Sequence, residues 1–384
     1  IYSVWTKNGE YREQVKRLVT DYDNYISLKL AGDDAYLSEK MVGYPAELDE
    51  VYAESFEEQK KEWFSCVGDG IQECRNTWEH KKWNITDFPE FELAITIDRP
   101  ELYYDFLQKD WTRFCHDYWK NNFLEHHTLS QKRVTRIYIG NQFCHNLFPR
   151  KELLFQVLEK ALENNLAVTL AFSYIRNHLL EEIDELLQEL EVWCQSREKE
   201  AGKDQEEIIV NDWAMPILLQ GKPHLKPVLG VLLNKRRKDV RLPYKHGIGN
   251  HVDSLAENNL NCGFYQDYLK NTFDIQRFEF ESCGYKVTIP DGHHSLHLPF
   301  FQTNTSQYCT LYAVCRYGDR GKQKLTENCP RYCNKKVFLY PKHLKMVGRY
   351  NSLFGYDEKI LWDEKQLQDY LEQGIERIVV NVSL

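Results

Sequence analysis

Cysteines are the residues of this chain whose type and spacing most directly indicate chemistry. The sequence contains 11 of them, an odd number, and the last two, Cys329 and Cys333, are separated by three residues. Cys309 and Cys315 precede this pair across a loop-like stretch, and Cys144 lies far upstream. Thiolates that converge from separate segments are ligands for a zinc ion or an iron–sulfur cluster.

The spacing of these five cysteines favours an iron–sulfur cluster over zinc. Structural zinc sites usually combine two close pairs of ligands, whereas this chain offers one close pair and single cysteines at a distance. We therefore predict that Cys144, Cys329 and Cys333 bind a 4Fe–4S cluster. The remaining ligand is Cys309, which follows a predicted strand, or Cys315, which has the better spacing to Cys329, or both.

Strands and helices alternate from residue 134 onward in a way that would bring these cysteines together. Strand patterns cover 134–139, 166–172, 208–210, 227–233, 275–281, 296–302, 337–340 and 378–382, and helix patterns cover 150–164, 179–193, 253–272 and 364–373. This alternation predicts an α/β fold with parallel strands, a (β/α) TIM-like barrel that is irregular in its second half. Because the carboxyl ends of barrel strands share one rim, Cys144 can meet the late cysteines there.

Residues 1–130 differ in composition and are predicted to form a mainly helical, aromatic-rich N-terminal domain before a barrel domain at 131–384. They contain six of the nine Trp, helix patterns at 11–30, 54–66 and 103–123, and one strand pattern at 91–97. The aromatic residues are interpreted either as the core of that domain or as a surface that binds a protein partner.

Polar and basic residues that follow the predicted strands are candidates for binding a substrate at the same rim. The predicted substrate-binding residues are Asn211, Asp212, Asn234, Arg236, Arg237 and Glu279. The basic run that begins at residue 234 and extends to Lys245 and His246 suits an anionic substrate, a phosphate or RNA. Glu279 is expected inside the barrel, where a charge requires a ligand or an ion pair. The net charge of −9 argues against a chain whose main task is to hold a nucleic-acid backbone.

Several other classes of site are not indicated. The sequence has no Ser-His-Asp order, P-loop, HExxH or GxGxxG motif. His293, His294 and His297 lie close together but lack the carboxylate spacing of a metal site, and His297 is interpreted as lining the barrel. No run of 18 apolar residues is present, so no membrane span is expected. The cysteine usage of a large chain favours a reducing compartment, and we predict a cytoplasmic protein.

Some segments also carry a family resemblance. They are residues 136–144 (Arg-Ile-Tyr-Ile-Gly-Asn-Gln-Phe-Cys), 167–173 with the Leu/Glu helix after it, the Asn-Asp turn at 211–212, 277–279, 295–300 and 303–309. Together they resemble the collagenase-like peptidase U-32 family over roughly residues 134–345. The loop from Cys309 to Cys329 is longer than expected for that family, which leaves open whether one cysteine is a bystander.

The resemblance implies an iron–sulfur protein. Members of the family such as the anaerobic ubiquinone-biosynthesis hydroxylase subunits and the tRNA uridine 5-hydroxylation proteins support oxygen-independent hydroxylation, with prephenate as the implicated oxygen source. A ligand after the first strand, one after a late strand and a final C-x3-C correspond here to Cys144, to Cys309 or Cys315, and to Cys329 and Cys333. The expected function is hydroxylation, or a related redox modification, of a small molecule, a peptide or RNA. The alternatives are a non-catalytic scaffold subunit of a hydroxylase complex and a metal-dependent peptidase.

Overall fold

The structure, a computed structural model, describes most of the chain from residue 88 onward and short stretches before it. The described residues are 7–16, 19, 60–61, 63, 88–201, 205–238, 240, 255–319, 321–326, 328–340 and 345–383. Residues 9–16 are helical, in agreement with the start of the first predicted helix. Most of the predicted N-terminal domain, and the basic residues Lys245 and His246, lie outside the described residues.

Eight parallel strands form a nearly closed barrel. They are β1 (Glu92–Ile97), β2 (Arg136–Gly140), β3 (Ala167–Ala171), β4 (Glu206–Val210), β5 (Leu225–Leu229), β6 (Glu279–Glu281), β7 (His294–Leu298) and β12 (Ile375–Val380). Their order around the sheet is β5-β4-β3-β2-β1-β12-β7-β6. A parallel bridge from Leu229 to Phe278, with a hydrogen bond from the Leu229 amide to the Arg277 carbonyl at 3.0 Å, connects the two ends. The predicted TIM-like barrel is confirmed at this level.

Helices lie between the strands along the chain. They are α1 (Pro100–Gln108), α2 (Trp111–Asn121), α3 (Lys151–Glu163), α4 (Leu180–Ala201), α5 (Ala214–Leu218), α6 (Gly263–Phe273), α7 (Thr310–Tyr317) and α8 (Glu364–Glu372). In α3 the buried residues recur at three- and four-residue spacing, at Leu154, Val157, Leu158 and Ala161, which is the period that places one stripe against the barrel. Within the described part of the chain, no helix combines the length and the apolar character that crossing a membrane requires.

The barrel begins earlier in the chain than the predicted boundary at residue 130. Residues 92–97 form β1, which pairs in parallel with β2 and with β12 in the centre of the sheet. The strand predicted at 91–97 within the N-terminal domain is therefore a strand of the barrel. The single helix predicted at 103–123 is in fact α1 and α2, and Asp110 caps the second by accepting a hydrogen bond from the Arg113 amide.

The second half of the chain adds an antiparallel sheet to the barrel. Its strands are β8 (Phe300–Thr305), β9 (Phe338–Leu339), β10 (Met346–Arg349) and β11 (Ser352–Tyr356), in the order β8-β11-β10-β9. The predicted strand at 296–302 is therefore two strands, because β7 ends at the cis peptide bond before Pro299 and β8 joins the second sheet. This sheet places Cys309 shortly after β8 and Cys333 shortly before β9.

The interior of the barrel contains a small apolar layer above a layer of ion pairs. Along each strand, residues that face the interior of the barrel alternate with residues that face the surrounding helices. The interior-facing residues that form the apolar layer are Ala94, Tyr138, Ala171, Ile209, Val228 and Val379. Toward the amino ends of the strands, Arg377 lies within 2.6 Å of both Glu92 and Glu207. Arg136 reaches the same two carboxylates, at 2.9 and 3.4 Å. The polar residues inside the barrel therefore neutralise one another at this end.

Candidate functional site

Four of the five predicted metal ligands form one group at the rim of the barrel. They are Cys144, Cys309, Cys329 and Cys333, referred to below as the four-cysteine group. Burial raises the pKa of the Cys309 thiol, and the other three thiols of the group raise that pKa further. Burial likewise raises the pKa of Cys144 to about 11 and that of Cys333 to about 12, and in both the Cys329 thiol adds to the increase. The four sulfur atoms are thus close enough to interact electrostatically.

A tight turn after β2 positions Cys144. Gly140 has φ +108°, and a Cβ atom there would lie 2.6 Å from the Ala171 carbonyl oxygen, so the position requires glycine. The Asn141 side chain then accepts hydrogen bonds from the amides of Phe143 and Cys144, both at 2.9 Å. This Asn turn holds the loop in one conformation, so that the Cys144 thiol faces the late cysteines.

Cys309 is positioned by a helix and by the second sheet. It is the N-cap of α7, and its sulfur accepts a hydrogen bond from the Tyr312 amide at 3.3 Å. The same thiol donates to the Tyr350 carbonyl at 3.0 Å. A helix N-terminus favours the negative charge of a thiolate, so this position suits a sulfur that binds a metal.

Cys315 does not belong to the group. It lies six residues after Cys309 on the same helix, a displacement of about 9 Å along the helix axis. Burial raises its pKa and Lys336 lowers it, with no contribution from another cysteine. The structure therefore places Cys309, and not Cys315, beside the other three cysteines.

Two arginines provide positive charge next to the group. Arg176, in the loop after β3, lowers the pKa of Cys144, and it lines a small pocket together with Cys144 and Cys309. Arg349 is buried, donates through Nε to the Cys333 carbonyl at 3.0 Å, and lowers the pKa of the Cys333 thiol. A cation beside a thiol stabilises its thiolate form. A cluster with four thiolate ligands carries net negative charge.

Among the described residues, no three His, Cys, Asp or Glu side chains form a group that could hold one metal ion. A cleft of about 710 Å³ between α3, α4 and the late cysteine loop opens onto Cys329.

Four of the six predicted substrate-binding residues line a second feature of the rim, an open groove of about 560 Å³. They are Asn211, Asp212, Asn234 and Arg236, which face residues 302–307 of β8 and the loop after it. The groove, called the rim groove below, also contains the side chains of Tyr174 and Trp213. The carboxyl ends of β4, β5 and β8 form its walls, which is where barrels bind substrates.

Several polar side chains of the rim groove are already hydrogen-bonded or ion-paired within the protein. Asn211 is buried and bonds to the Phe172 carbonyl at 2.8 Å and to the Leu232 amide at 3.1 Å. Arg236 donates to the Cys283 sulfur at 3.1 Å, and Lys238 pairs with Glu281 at 2.6 Å. The exposed cation of the groove is Lys235. Arg237 is buried and lies outside the groove lining.

Glu279 lies inside the barrel, as expected, in a chain of hydrogen bonds. Its carboxylate accepts from the Tyr138 hydroxyl at 3.0 Å and contacts His297 Nε2 at 2.5 Å, and Glu279 is 0% exposed. The Tyr138 hydroxyl in turn accepts from Arg377 at 3.1 Å, which connects this chain to the ion-pair layer. The other two histidines of the predicted cluster point elsewhere: His294 stacks on Phe278, and His293 is exposed.

A small cavity at the mouth of the barrel lies between these interior residues and the four-cysteine group. It measures about 40 Å³ and is lined by Asp98, Tyr138, Glu281, His297, Tyr350 and Asn381, among others. Sequence reasoning did not single out Asp98, Tyr350 or Asn381. Asp98 and Asn381 directly follow the patterns that form β1 and β12, so a correct count of the barrel strands would have indicated them.

Comparison with known proteins leaves the fold and the site geometry as the basis for interpretation. No protein-family model matches the chain, and neither the curated proteins nor the solved structures compared with it contain a match. The fold and the site define the chain as a (β/α) barrel protein with a four-cysteine group at the carboxyl-end rim.

Proposed function

We propose that this chain is an iron–sulfur protein whose four-cysteine group holds a 4Fe–4S cluster at the rim of the barrel. The observation that carries the proposal is the proximity of four thiols that come from three separate parts of the chain. Unrelated buried cysteines have no reason to meet, because a free thiol packs as a small apolar group anywhere in a core. The adjacent Arg176 and Arg349 support the same proposal, since they offset the charge of the thiolates.

We further propose that the chain supports oxygen-independent hydroxylation, or a related redox modification, of a small molecule, a peptide or RNA. When bound, the cluster would supply one-electron redox chemistry at the rim. The rim groove would hold an anionic reactant, with prephenate as the oxygen donor that the resemblance to the U-32 family implies. The support for this is the position of the groove at the carboxyl ends of the strands and the exposed ammonium of Lys235.

A second candidate is a scaffold subunit in which the cluster only stabilises the rim. Four protein ligands leave no open iron for a substrate, which favours electron transfer or a structural role. The cleft that opens onto Cys329 is large enough, at about 710 Å³, for part of a partner protein to enter. Turnover of a substrate by the isolated chain would exclude this candidate, and activity that requires a second protein would favour it.

The cluster itself is tested by a matched pair of serine substitutions. We expect the anaerobically purified chain to be brown, to contain about four irons and to give an EPR signal after reduction. Cys309→Ser removes a thiol of the four-cysteine group and should lose most of the iron. Cys315→Ser changes the same residue type two turns further along the same helix and should retain it. Equal iron content in the two variants, or a colourless wild-type protein with stoichiometric zinc, would contradict the proposal.

A further inference from the structure

The barrel-mouth cavity contains polar atoms that have no partner in the part of the chain that the structure describes. Asp98 Oδ1 and the Tyr350 hydroxyl are buried without a hydrogen-bond partner among the described residues. His297 bonds through Nε2 to Glu279. All three side chains line the same cavity. Buried polar atoms are nearly always satisfied, so two of them around one space, the Asp98 and Tyr350 oxygens, indicate that something polar binds there.

Two other polar residues of the cavity wall, Glu281 and Asn381, are already hydrogen-bonded within the protein. Glu281 accepts from Lys238 at 2.6 Å and from the Gln302 amide at 2.7 Å. Asn381 exchanges hydrogen bonds with the backbone of Phe300, at 3.1 and 2.8 Å. The two buried atoms that lack a partner among the described residues thus come from two different parts of the fold, the loop after β1 and the turn after β10.

The histidine is held in one orientation by the residues behind it. Nε2 lies 2.5 Å from the Glu279 carboxylate and donates a hydrogen bond to it, which fixes the plane of the imidazole ring. Tyr138 donates its hydroxyl to the same carboxylate at 3.0 Å, which keeps Glu279 an acceptor for the imidazole. A carboxylate that orients a histidine in this way leaves the opposite ring nitrogen as the atom that can contact a ligand.

The charges of the cavity define the chemical class of that ligand. The Asp98 carboxylate is an acceptor, and the Tyr350 hydroxyl can donate or accept. Burial is the largest cause that raises the pKa of the Tyr350 phenol, and the Asp98 carboxylate is the second. Asp98 and Tyr350 are therefore close enough to interact. A carboxylate ligand would meet Asp98 and Glu281 and be repelled, whereas an N–H or O–H group would find acceptors. A volume of about 40 Å³ admits a few water molecules or one compact polar group.

We propose that the barrel-mouth cavity binds a compact neutral or cationic group with N–H or O–H donors, such as an amino, amide or hydroxyl group, through Asp98, Tyr350 and His297. The cavity would therefore prefer a neutral or cationic group, whereas the rim groove, with its exposed Lys235, would prefer an anion. The ligand would lie next to the four-cysteine group, because the Tyr350 carbonyl accepts a hydrogen bond from Cys309. Binding itself does not depend on the cluster.

The test is NMR of the full chain labelled at histidine Cε1, titrated with three small probes. The probes are methylammonium chloride, formamide and sodium formate, which are similar in size and differ in charge. We expect the first two to shift the His297 signal and formate to leave it unchanged. His294 is an internal control, because it lies on the same strand, is equally buried and does not line the cavity.

Two variants make the assignment specific. Asp98→Asn keeps the size of the side chain and removes its charge, so methylammonium should bind about tenfold more weakly and formamide should be less affected. Tyr350→Phe should weaken both probes several-fold. An unchanged His294 signal shows that each variant is folded. The inference is overturned if neither donor probe shifts His297, if formate shifts it equally, or if methylammonium binds the Asp98→Asn variant as well as the wild type. Iron measured on the same samples separates this result from the proposed function.

Discussion

Replacing Arg377 with methionine removes the cation at the centre of the ion-pair layer inside the barrel. Arg377 is 2% exposed and contacts Glu92 through Nε at 2.6 Å. Its two terminal nitrogens bond to the two carboxylate oxygens of Glu207, at 2.6 and 3.1 Å. Methionine has a similar length and no charge, so the change leaves the volume nearly filled. It leaves Arg136 as the cation paired with both carboxylates and Arg277, at 3.6 Å, as a second partner of Glu207 alone.

The expected loss of stability follows from the pKa of Glu207. Burial alone would raise this pKa, but Arg136 and Arg377 outweigh burial and lower it from 4.5 to about 2. A shift of that size corresponds to about 3 kcal/mol of native-state stabilisation at neutral pH. Because the pKa is lowered on folding, the stabilisation is present above pH 4.5 and is lost as the pH falls toward 2. Arg377→Met should remove a large part of it, in line with the roughly 3–5 kcal/mol cost of breaking a buried pair.

Urea unfolding at pH 7 and at a series of lower pH values measures this effect. Arg277→Met is the matched control, because Arg277 reaches Glu207 only at 3.6 Å and is 20% exposed at the side chain. We expect a small change for the control, and for Arg377→Met a lower midpoint at pH 7 and a weaker dependence on pH in the acid range. Equal midpoints for the two variants at pH 7, or an unchanged acid dependence for Arg377→Met, would refute the reasoning.

Two further substitutions test the positions that hold the site. Gly140→Ala places a Cβ at φ +108° within 2.6 Å of a backbone oxygen, so we expect a loss of about 1–3 kcal/mol in urea unfolding and a lower iron content. Gly263→Ala, where a Cβ meets nothing within 4 Å, should change neither, and similar losses in both variants would contradict the strain argument. Tyr138→Phe removes the hydroxyl that donates to Glu279 and should lower the free energy of unfolding by about 1–3 kcal/mol. Tyr104→Phe, at a residue that is 53% exposed, should change it by almost nothing. Matching unfolding midpoints for the two variants would count against the interior hydrogen-bond chain.

The parts of the fold that periodicity determines were predictable from the sequence. The strands that begin near residues 134, 166, 208 and 227, and the helices at 150–164 and 364–373, lie within a few residues of their predicted bounds. The helices bury one face each, so their apolar residues recur with a fixed period, whereas the barrel strands are buried on consecutive residues and appear as short apolar runs. The first strand of the barrel was found as a strand but assigned to the wrong domain, because a local pattern contains no information about which strand is its neighbour.

At the rim, too, some features were predictable from the sequence and others only from the tertiary structure. Residue type and the short spacing between Cys329 and Cys333 were sufficient to single out the cysteines, since thiol chemistry belongs to the side chain itself. The choice between Cys309 and Cys315 was open in the sequence, because both lie at plausible distances along the chain. Only the tertiary structure shows which of the two lies near Cys144, since Cys309 interacts electrostatically with the other three thiols and Cys315, further along helix α7, does not. The cavity formed by Asp98, Tyr350 and His297 was also beyond sequence reasoning, because its members come from strands far apart in the chain and meet only when the barrel closes.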